Sequence, residues 1–196
     1  MVYHQEPTDI SRRRLLSTLA AGGVVAAAGC LGDSETVPDP QPIEDGQPCD
    51  QCNMEIAAQP GPAGQAYYLD GSPASLPDGR EDGFARFCSS WCTYVYVLEN
   101  KERGAEPAGT YTTDYSAVEY EVRDDGGTPV LSAHLESETF ESAESLTYVV
   151  DSEVEGAMGG SLVGFSETDD AEAFRDEYGG TLVDHGDVTL ETVRNL

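Results

Sequence analysis

The sequence predicts an α+β fold in which two related units of ββαβ type form one domain. Two observations lead to this prediction. Short segments rich in Tyr, Val and Thr flank a helical segment in each half of the chain, and the order of these elements is similar in the two halves. The length of the chain agrees with this prediction. About 167 residues remain after an N-terminal targeting segment, which is enough for one domain or two small ones with a hydrophobic core.

The first unit is predicted over residues 49–117. Residues 66–69 are expected to be extended, residues 84–100 helical and residues 109–113 extended again. The Cys-rich part of the chain falls in this unit, so it is also the first place to look for chemistry.

Residues 118–145 are predicted to connect the two units. Within them, residues 118–122 and 128–131 flank Asp124-Asp125-Gly126-Gly127. An Asp-Gly pair between two extended runs is typical of a β-hairpin. Nothing in this segment suggests chemistry.

The second unit is predicted over residues 146–196. Strand, strand, helix and strand are expected in that order, at residues 146–150, 161–165, 169–178 and 181–183. Gly179-Gly180 follows the helix and favours its termination. The shared order of elements indicates an internal duplication.

The first 29 residues are predicted to be an export signal. Arg12-Arg13-Arg14 precede an apolar stretch at residues 15–28, a pattern typical of a twin-arginine signal peptide. This stretch is about 14 residues long, short of the roughly 20 that a membrane-spanning helix needs. It ends in Ala27-Ala28-Gly29-Cys30, which resembles a lipoprotein cleavage box. Cys30 is therefore expected to carry lipid; the alternative is an ordinary cysteine beside a small-residue cleavage site.

Residues 30–48 are predicted to be the lipidated cysteine and a flexible tether. Four prolines lie there among acidic and small polar residues, with almost nothing apolar to bury. The chain is thus expected at the cell membrane, lipid-anchored, facing the exterior and exported by the twin-arginine route.

The charge balance predicts a high-salt habitat. The chain has 37 acidic and ten basic residues, a net charge of −27, and Lys101 is its single lysine. At low salt the many negative charges of such a chain repel one another. Salt near 1 M shortens the Debye length to about 3 Å and screens this repulsion. The balance resembles that of proteins from salt-loving archaea, and it excludes nucleic acid as a natural partner. Any single Asp or Glu is expected to be a solvated surface group.

Two methionines suggest metal ligands. Outside the start codon the chain contains only Met54 and Met158, each flanked by polar or glycine residues rather than by an apolar stripe. Thiolate together with thioether is a combination that favours Cu(I) over harder divalent ions. The sequence therefore predicts Cu(I) binding through sulfur.

Four further cysteines could supply the thiolates. Cys49 and Cys52 are separated by two residues, and Cys88 and Cys92 by three. On the predicted helix Cys88 and Cys92 share one face, and the first pair could complete a tetrad. Two alternatives stay open: two disulfides, which persist outside the cytoplasm, and a structural Zn(II) site of four thiolates. Neither alternative needs a thioether, so the methionines favour copper.

A non-enzymatic role is expected. The runner-up is a thiol–disulfide redox protein that uses Cys49-Asp50-Gln51-Cys52, but Asp50 would raise the thiol pKa and leave less thiolate to attack. No Ser-His-Asp set, phosphate loop or paired carboxylates stand out in the sequence. His134 and His185, the only histidines beyond the signal, are weaker candidates for copper ligands.

Two motifs resemble a known family. Residues 52–56, Cys-Asn-Met-Glu-Ile, are similar to the C-x-M-x-I signature of the NosL lipoproteins, accessory proteins of nitrous oxide reductase assembly. Residues 148–165 and the following helix resemble the family's Tyr-Val strand, G-x-M-G loop, strand ending in Phe and helix closed by Gly-Gly. The Cys knuckle and residues 87–92 also resemble treble-clef metal modules of the YHS and TRASH kind.

The resemblance implies a membrane-anchored Cu(I) chaperone. Its acceptor would be nitrous oxide reductase, whose copper sulfide centre it would supply, or another cuproprotein. Carried over by motif, Cys52 is the leading thiolate ligand, Met158 the leading thioether and Met54 a further candidate. The chain departs from the family at Ala157, where many members have proline, and in its extra thiols, which leave open whether there are one or two sites.

Overall fold

The computed structural model describes residues 37–69, 73–78, 80 and 83–196. All of them belong to the unit Glu35–Leu196. The predicted export signal, Cys30 and the start of the predicted tether lie outside the described residues. In the part that is described, none of the helices combines the length and the apolar character that crossing a membrane requires.

The fold is α+β, as predicted. The described residues form eleven strands and three α-helices. The strands are β1 (Gly64–Tyr67), β2 (Phe84–Phe87), β3 (Gly109–Thr113), β4 (Val122–Asp125), β5 (Thr128–Leu131), β6 (Phe140–Ser142), β7 (Thr147–Val150), β8 (Glu155–Gly156), β9 (Gly159–Gly160), β10 (Val163–Phe165) and β11 (Thr181–Asp184). The helices are α1 (Ser90–Glu102), α2 (Thr168–Tyr178) and α3 (Leu190–Arg194).

The first sheet has the strand order β2-β1-β3-β6, and all its neighbours are antiparallel. Helix α1 packs against β1 and β2. Between them lies a buried aromatic cluster, in which the ring centroids of Phe87 and Tyr96 are 5.0 Å apart. Strand β6 comes from the segment predicted to connect the two units and completes this sheet.

The second sheet has the order β10-β7-β11, again antiparallel, and α2 packs against it. In both sheets the first strand of the unit lies in the middle, the second strand on one side and the strand after the helix on the other. The element order ββαβ and its arrangement are therefore the same in the two halves. The domain boundaries stay a prediction.

A third sheet, of order β4-β5-β8-β9, joins the connecting segment to the second half. Its hairpin β4–β5 differs from the prediction, because the first strand covers Val122–Asp125 instead of residues 118–122. The loop is Gly126-Gly127, with φ values of 68° and 104°. A two-residue type I′ turn needs positive φ at both positions, which glycine adopts without strain.

The predicted helix over residues 84–100 is wrong at its start. Phe84–Phe87 is strand β2, paired with β1, and α1 begins at Ser90. Ser89 is its N-cap: the Oγ atom accepts a hydrogen bond from the backbone N–H of Cys92 at 3.0 Å. A short aromatic run suits a strand as well as a buried helix, and the pairing with β1 decides in favour of the strand.

The described part of the predicted tether, residues 37–48, is bound to the first sheet. Ile43 is 5% exposed, and its N–H donates to the carbonyl of Leu135 at 2.8 Å. The Tyr67 hydroxyl donates to the carbonyl of Asp39 at 3.1 Å. The buried Ile43 and hydrogen bonds from strands β1 and β3 together anchor this segment.

Candidate metal centre

Four cysteine side chains converge at one end of helix α1. The Sγ atoms of the cysteine quartet, Cys49, Cys52, Cys88 and Cys92, all lie within 4.8 Å of one another. The Cys52–Cys88 distance is 3.5 Å and the Cys88–Cys92 distance is 3.8 Å. Sulfurs around a tetrahedral ion with metal–sulfur bonds of about 2.3 Å lie about 3.8 Å apart. All four are free thiols, and the geometry fits a metal ion.

The first two cysteines are placed by a tight knuckle. The N–H of Cys49 donates to the carbonyl of Met54, and the N–H of Asn53 donates to the carbonyl of Cys49, both at 2.8 Å. Asn53 has a φ of 64°, in the left-handed region that asparagine tolerates better than most residues. An antiparallel bridge between Pro48 and Glu55 closes the knuckle.

The other two cysteines are placed by the junction of β2 and α1. Cys88 follows the last residue of β2 and precedes the N-cap Ser89, while Cys92 lies in the first turn of α1. The prediction that both cysteines lie on one helix face is therefore wrong for Cys88. Their sulfurs nevertheless meet, because the N-cap turn brings Cys88 back over that first turn.

Asp50 joins the knuckle to the junction. Its backbone N–H donates to the carbonyl of Arg86 at 2.9 Å, and its Oδ2 atom accepts from the N–H of Arg86 at 2.9 Å. Its Oδ1 atom pairs with Nη2 of Arg80 at 3.0 Å, and the Asp50 side chain is 1% exposed. Since Arg86 lies two residues before Cys88, Asp50 sets the distance between the knuckle and that cysteine.

Sequence reasoning missed this role of Asp50 and treated its carboxylate only as a charge beside the thiols. A local signal was present, since an aspartate in a tight turn commonly accepts backbone N–H groups. Its partners, Arg80 and Arg86, lie at least 30 residues away along the chain. Local sequence patterns do not identify partners at that distance.

The pKa values of three thiols in the quartet are shifted in different directions. Hydrogen bonds from Cys88 and Cys92 lower the pKa of Cys49. The hydrogen bond to Cys49 raises the pKa of Cys88 and of Cys92, and burial raises both further. Cys49 is therefore the first of these three to carry a thiolate, and a metal ion that binds all of them displaces protons.

Accessibility also differs within the quartet. Cys49, Cys88 and Cys92 are 2%, 1% and 0% exposed, whereas Cys52 is half-buried. Cys52 is therefore the sulfur of the quartet that another molecule can reach most readily.

Of the two predicted thioether ligands, Met54 packs against the core that contains three of the cysteines, and Met158 is the neighbour of a residue that does so. Met54, in the knuckle, is half-buried and packs against the core that contains Cys49, Cys88 and Cys92. Met158 is 39% exposed and lies with Ala157 in the turn of the hairpin β8–β9; Ala157 packs against that same core.

A serine pair fixes the Met158 hairpin to the helix that carries Cys92. The Oγ atoms of Ser90 and Ser161 are 3.0 Å apart, and the backbone N–H of Leu162 donates to the Ser90 Oγ atom at 3.0 Å. Both contacts are buried. The hairpin is thereby held at the N-terminus of α1.

The two histidines have other partners. Nδ1 of His185 lies 2.9 Å from the Tyr94 hydroxyl, and Nε2 of His134 lies 3.0 Å from the Ser132 Oγ atom. Burial lowers the pKa of each histidine.

Across residues 37–69, 73–78, 80 and 83–196, the cysteine quartet is the only place where three or more His, Cys, Asp or Glu side chains could meet one ion.

Comparison with known proteins identifies the family. The sequence model of NosL matches residues 40–193. The chain belongs to the NosL family. A protein of Stutzerimonas stutzeri named copper-binding lipoprotein NosL is 32% identical over 172 residues, covering 86% of this chain and 75% of that protein. The crystal structure of the copper chaperone NosL from Shewanella denitrificans superposes with a TM-score of 0.60 at 26% identity, covering 79% of this chain and 98% of that one.

The NosL match confirms the family resemblance seen in the two sequence motifs, and the structural match confirms the fold class. The matched region contains the cysteine quartet, Met54 and Met158, and it leaves Cys30 outside. In this NosL chain, all the predicted sulfur ligands thus belong to the family domain.

Proposed function

We propose that this protein is a metallochaperone that carries Cu(I) outside the cytoplasm. Lipid on Cys30 would anchor it to the cell membrane after export by the twin-arginine route. It would deliver copper for the copper sulfide centre of nitrous oxide reductase, or to another cuproprotein. The observation that carries this proposal is the convergence of four free thiols within 4.8 Å in a chain of the NosL family. The names of its relatives, a copper-binding lipoprotein and a copper chaperone, support it.

Cys52 is the leading thiolate ligand, Met158 the leading thioether and Met54 a further thioether. Thiolate and thioether sulfur are soft donors and favour Cu(I). Cys49, Cys88 and Cys92 lie within reach of an ion held at Cys52 and supply further thiolates. His134 and His185 stay secondary candidates, each engaged with a hydroxyl group.

Release begins at Cys52. Three of the four thiols are at most 2% exposed, so among the thiols Cys52 is the one beside which a soft ligand of the acceptor can approach the copper. When the acceptor sulfur or imidazole binds the ion, the Cu–S bond to Cys52 breaks and that sulfur can take up a proton. Copper keeps its oxidation state throughout, so the transfer is an exchange of ligands and the protein acts as a carrier rather than as an enzyme.

The direct test is a titration of the reduced full chain with Cu(I), under anaerobic conditions in high salt, against a competing chelator. X-ray absorption at the copper edge then identifies the ligand atoms. We expect tight binding through sulfur and a loss of affinity of at least about 100-fold in Cys52→Ser, because a hydroxyl group is a poor Cu(I) ligand.

The matched control is Cys30→Ser, which changes the predicted lipidation site outside the family domain and should leave the Cu(I) affinity of that domain unchanged. Full affinity in Cys52→Ser would remove Cys52 from the site. Mixing the Cu(I)-loaded protein with copper-free nitrous oxide reductase tests delivery, and turnover of a dithiol substrate by the metal-free protein would support the redox alternative instead.

A further inference from the structure

The hairpin that carries Met158 is too small to fix its own position. Its strands β8 and β9 have two residues each, and a single parallel pair, Val130 with Glu155, links it to β5. A two-stranded hairpin is marginally stable by itself. Contacts outside the hairpin therefore decide where the Met158 side chain lies.

The base of the hairpin is anchored in two separate parts of the core. Val154, just before β8, is fully buried in the cluster that contains Phe165. Leu162, shortly after β9, is fully buried in the cluster that contains Tyr94. These contacts hold the two ends of the segment but not the tilt of the hairpin between them.

Two serine side chains supply the directional contacts. Ser161 directly follows β9, and its Oγ atom lies 3.0 Å from that of Ser90, the first residue of α1. The Ser90 Oγ atom also accepts the backbone N–H of Leu162 at 3.0 Å. Both serines are buried, where a hydroxyl group costs free energy unless it is hydrogen-bonded. A hydrogen bond, unlike an apolar contact, holds its partners in a defined orientation.

Gly156 brings the hairpin close to the segment that follows the cysteine knuckle. A β-carbon at this position would lie 2.9 Å from the carbonyl oxygen of Gly61 and 2.9 Å from the Ser161 Oγ atom. A larger residue would therefore push the hairpin away from both. The hairpin is packed against this segment as well as bonded to α1.

We propose that Ser90 and Ser161 are positioning residues for Met158, which hold its thioether within reach of an ion bound at the cysteine quartet. The inference rests on the proposed function, in which Met158 is a ligand. Ser90 lies two residues before Cys92 on α1, and Ser161 lies three residues after Met158. One hydrogen-bonded contact thus joins the thiolate side of the site to the thioether side. Groups that orient a metal ligand commonly contribute about 10- to 100-fold to metal affinity.

The test is a double-mutant cycle on the Cu(I) affinity of the reduced full chain, in high salt and against a competing chelator. The variants are Ser161→Ala, Met158→Leu and the two together. In the natural chain Ser161→Ala should lower the affinity about three- to tenfold. With Met158→Leu already in place the same change should cost less than about twofold, because the ligand that Ser161 positions is gone.

A merely structural role would give a different result. A serine that only stabilised the fold, or that acted through Cys92, would lower the affinity by the same factor with and without Met158. Ser161→Ala is preferred to Ser90→Ala, because it leaves the hydrogen bond between Leu162 and Ser90 in place and the fold should survive. Far-ultraviolet circular dichroism checks the fold of each variant.

Ser116→Ala is the matched control. The Ser116 Oγ atom accepts the backbone N–H of Glu167, the N-cap of α2, at 3.1 Å. The control thus removes a serine contact at the start of the other long helix, which carries none of the predicted sulfur ligands. Its Cu(I) affinity should equal that of the natural chain.

Hydrogen exchange of the metal-free protein gives a readout that needs no copper. The amides of residues 155–162 should exchange at least about threefold faster in Ser161→Ala than in the natural chain, while those of residues 95–102 in α1 keep their rates. Unchanged exchange over residues 155–162 would show that the serine pair does not hold the hairpin and would overturn the proposal.

The cycle also separates this inference from the copper proposal. Equal losses with and without Met158, or natural affinity in Ser161→Ala beside a weakened Met158→Leu, would overturn the positioning role and leave the copper carrier intact. Natural affinity in Met158→Leu would remove Met158 as a ligand and the positioning role with it. Failure of the natural chain to bind Cu(I) tightly would contradict the carrier itself, and this inference with it.

Discussion

The Sγ atoms of Cys52 and Cys88 lie 3.5 Å apart although 36 positions separate them in the chain. The contact forms only when β2 pairs with β1 and Asp50 engages Arg86. The metal site is thus a product of the folded first sheet. A ligand that binds the folded state alone also stabilises it, so copper or zinc should raise the resistance of the protein to unfolding.

Replacement of Met158 by leucine should weaken Cu(I) binding and leave stability unchanged. The thioether is lost, but the side chain is 39% exposed and a leucine of similar size fills the same space. The affinity loss should be about tenfold and the change in unfolding free energy below about 0.5 kcal/mol. Chelator competition and thermal unfolding measure the two effects, and unchanged affinity would exclude Met158 as a ligand.

Replacement of Asp50 by alanine should destabilise the fold by about 3 kcal/mol, because the half-buried Arg80 guanidinium loses its carboxylate partner and keeps only its hydrogen bond to the Phe84 carbonyl. The Asp50 side chain is 1% exposed and that of Arg80 14% exposed. Asp176→Ala is the control, since it breaks an ion pair in which the Asp176 side chain is 73% exposed and should cost less than about 1 kcal/mol. Urea unfolding in high salt compares the two; equal losses would argue against an anchoring role for Asp50.

The contribution of His185 to stability should fall in acid. Burial lowers the pKa of this histidine from 6.5, so the folded protein favours the neutral ring. The contribution is complete above pH 6.5 and is lost as the pH falls below it, because the unfolded chain takes up the proton more readily.

A His185→Gln variant isolates the pH-dependent contribution of His185 to stability, since glutamine does not titrate and can still hydrogen bond to Tyr94. The difference in unfolding free energy between the natural chain and the variant should shrink between about pH 7.5 and about pH 5. Parallel pH profiles for the two proteins would show that His185 does not titrate in this range.

Salt should stabilise the protein strongly. With a net charge of −27 the folded chain repels itself, and raising the salt from about 0.1 M to about 2 M shortens the screening length from about 10 Å to a few Å. The melting temperature should therefore rise as the salt concentration is raised. Sucrose at matched water activity is the control, and an equal rise in sucrose would show that charge screening is not the cause.

The sequence was sufficient for the features that are local. The helix at Thr168–Tyr178 and the strand Gly109–Thr113 lie within a residue of their predicted bounds. Periodicity, turn glycines and β-branched residues carry this information within a few neighbours. A cysteine tetrad was one of the possibilities that the sequence left open beside two disulfides, on the resemblance to treble-clef modules more than on spacing, and the structure brings the four sulfurs together.

Features that depend on distant partners could not be foreseen. Phe84–Phe87 is a strand because it pairs with β1. Ile43 is buried because its side chain packs in the core and its backbone N–H donates to the carbonyl of Leu135. Asp50 acquires its role from Arg86, 36 residues further on. Such contacts are set by tertiary packing, which overrides local preference.

The parallel between the two halves has a consequence for how a carrier can work. The residue after β2 is Cys88 and the residue after β10 is Ser166; four positions later lie Cys92 and Asp170, each in the first turn of its helix. One half thus builds the same ββαβ frame with oxygen where the other has sulfur. Since residues 146–196 contain no cysteine, the ββαβ frame does not require thiolate ligands, and we expect removal of a bound ion from the quartet to leave the arrangement of strands and helices in place.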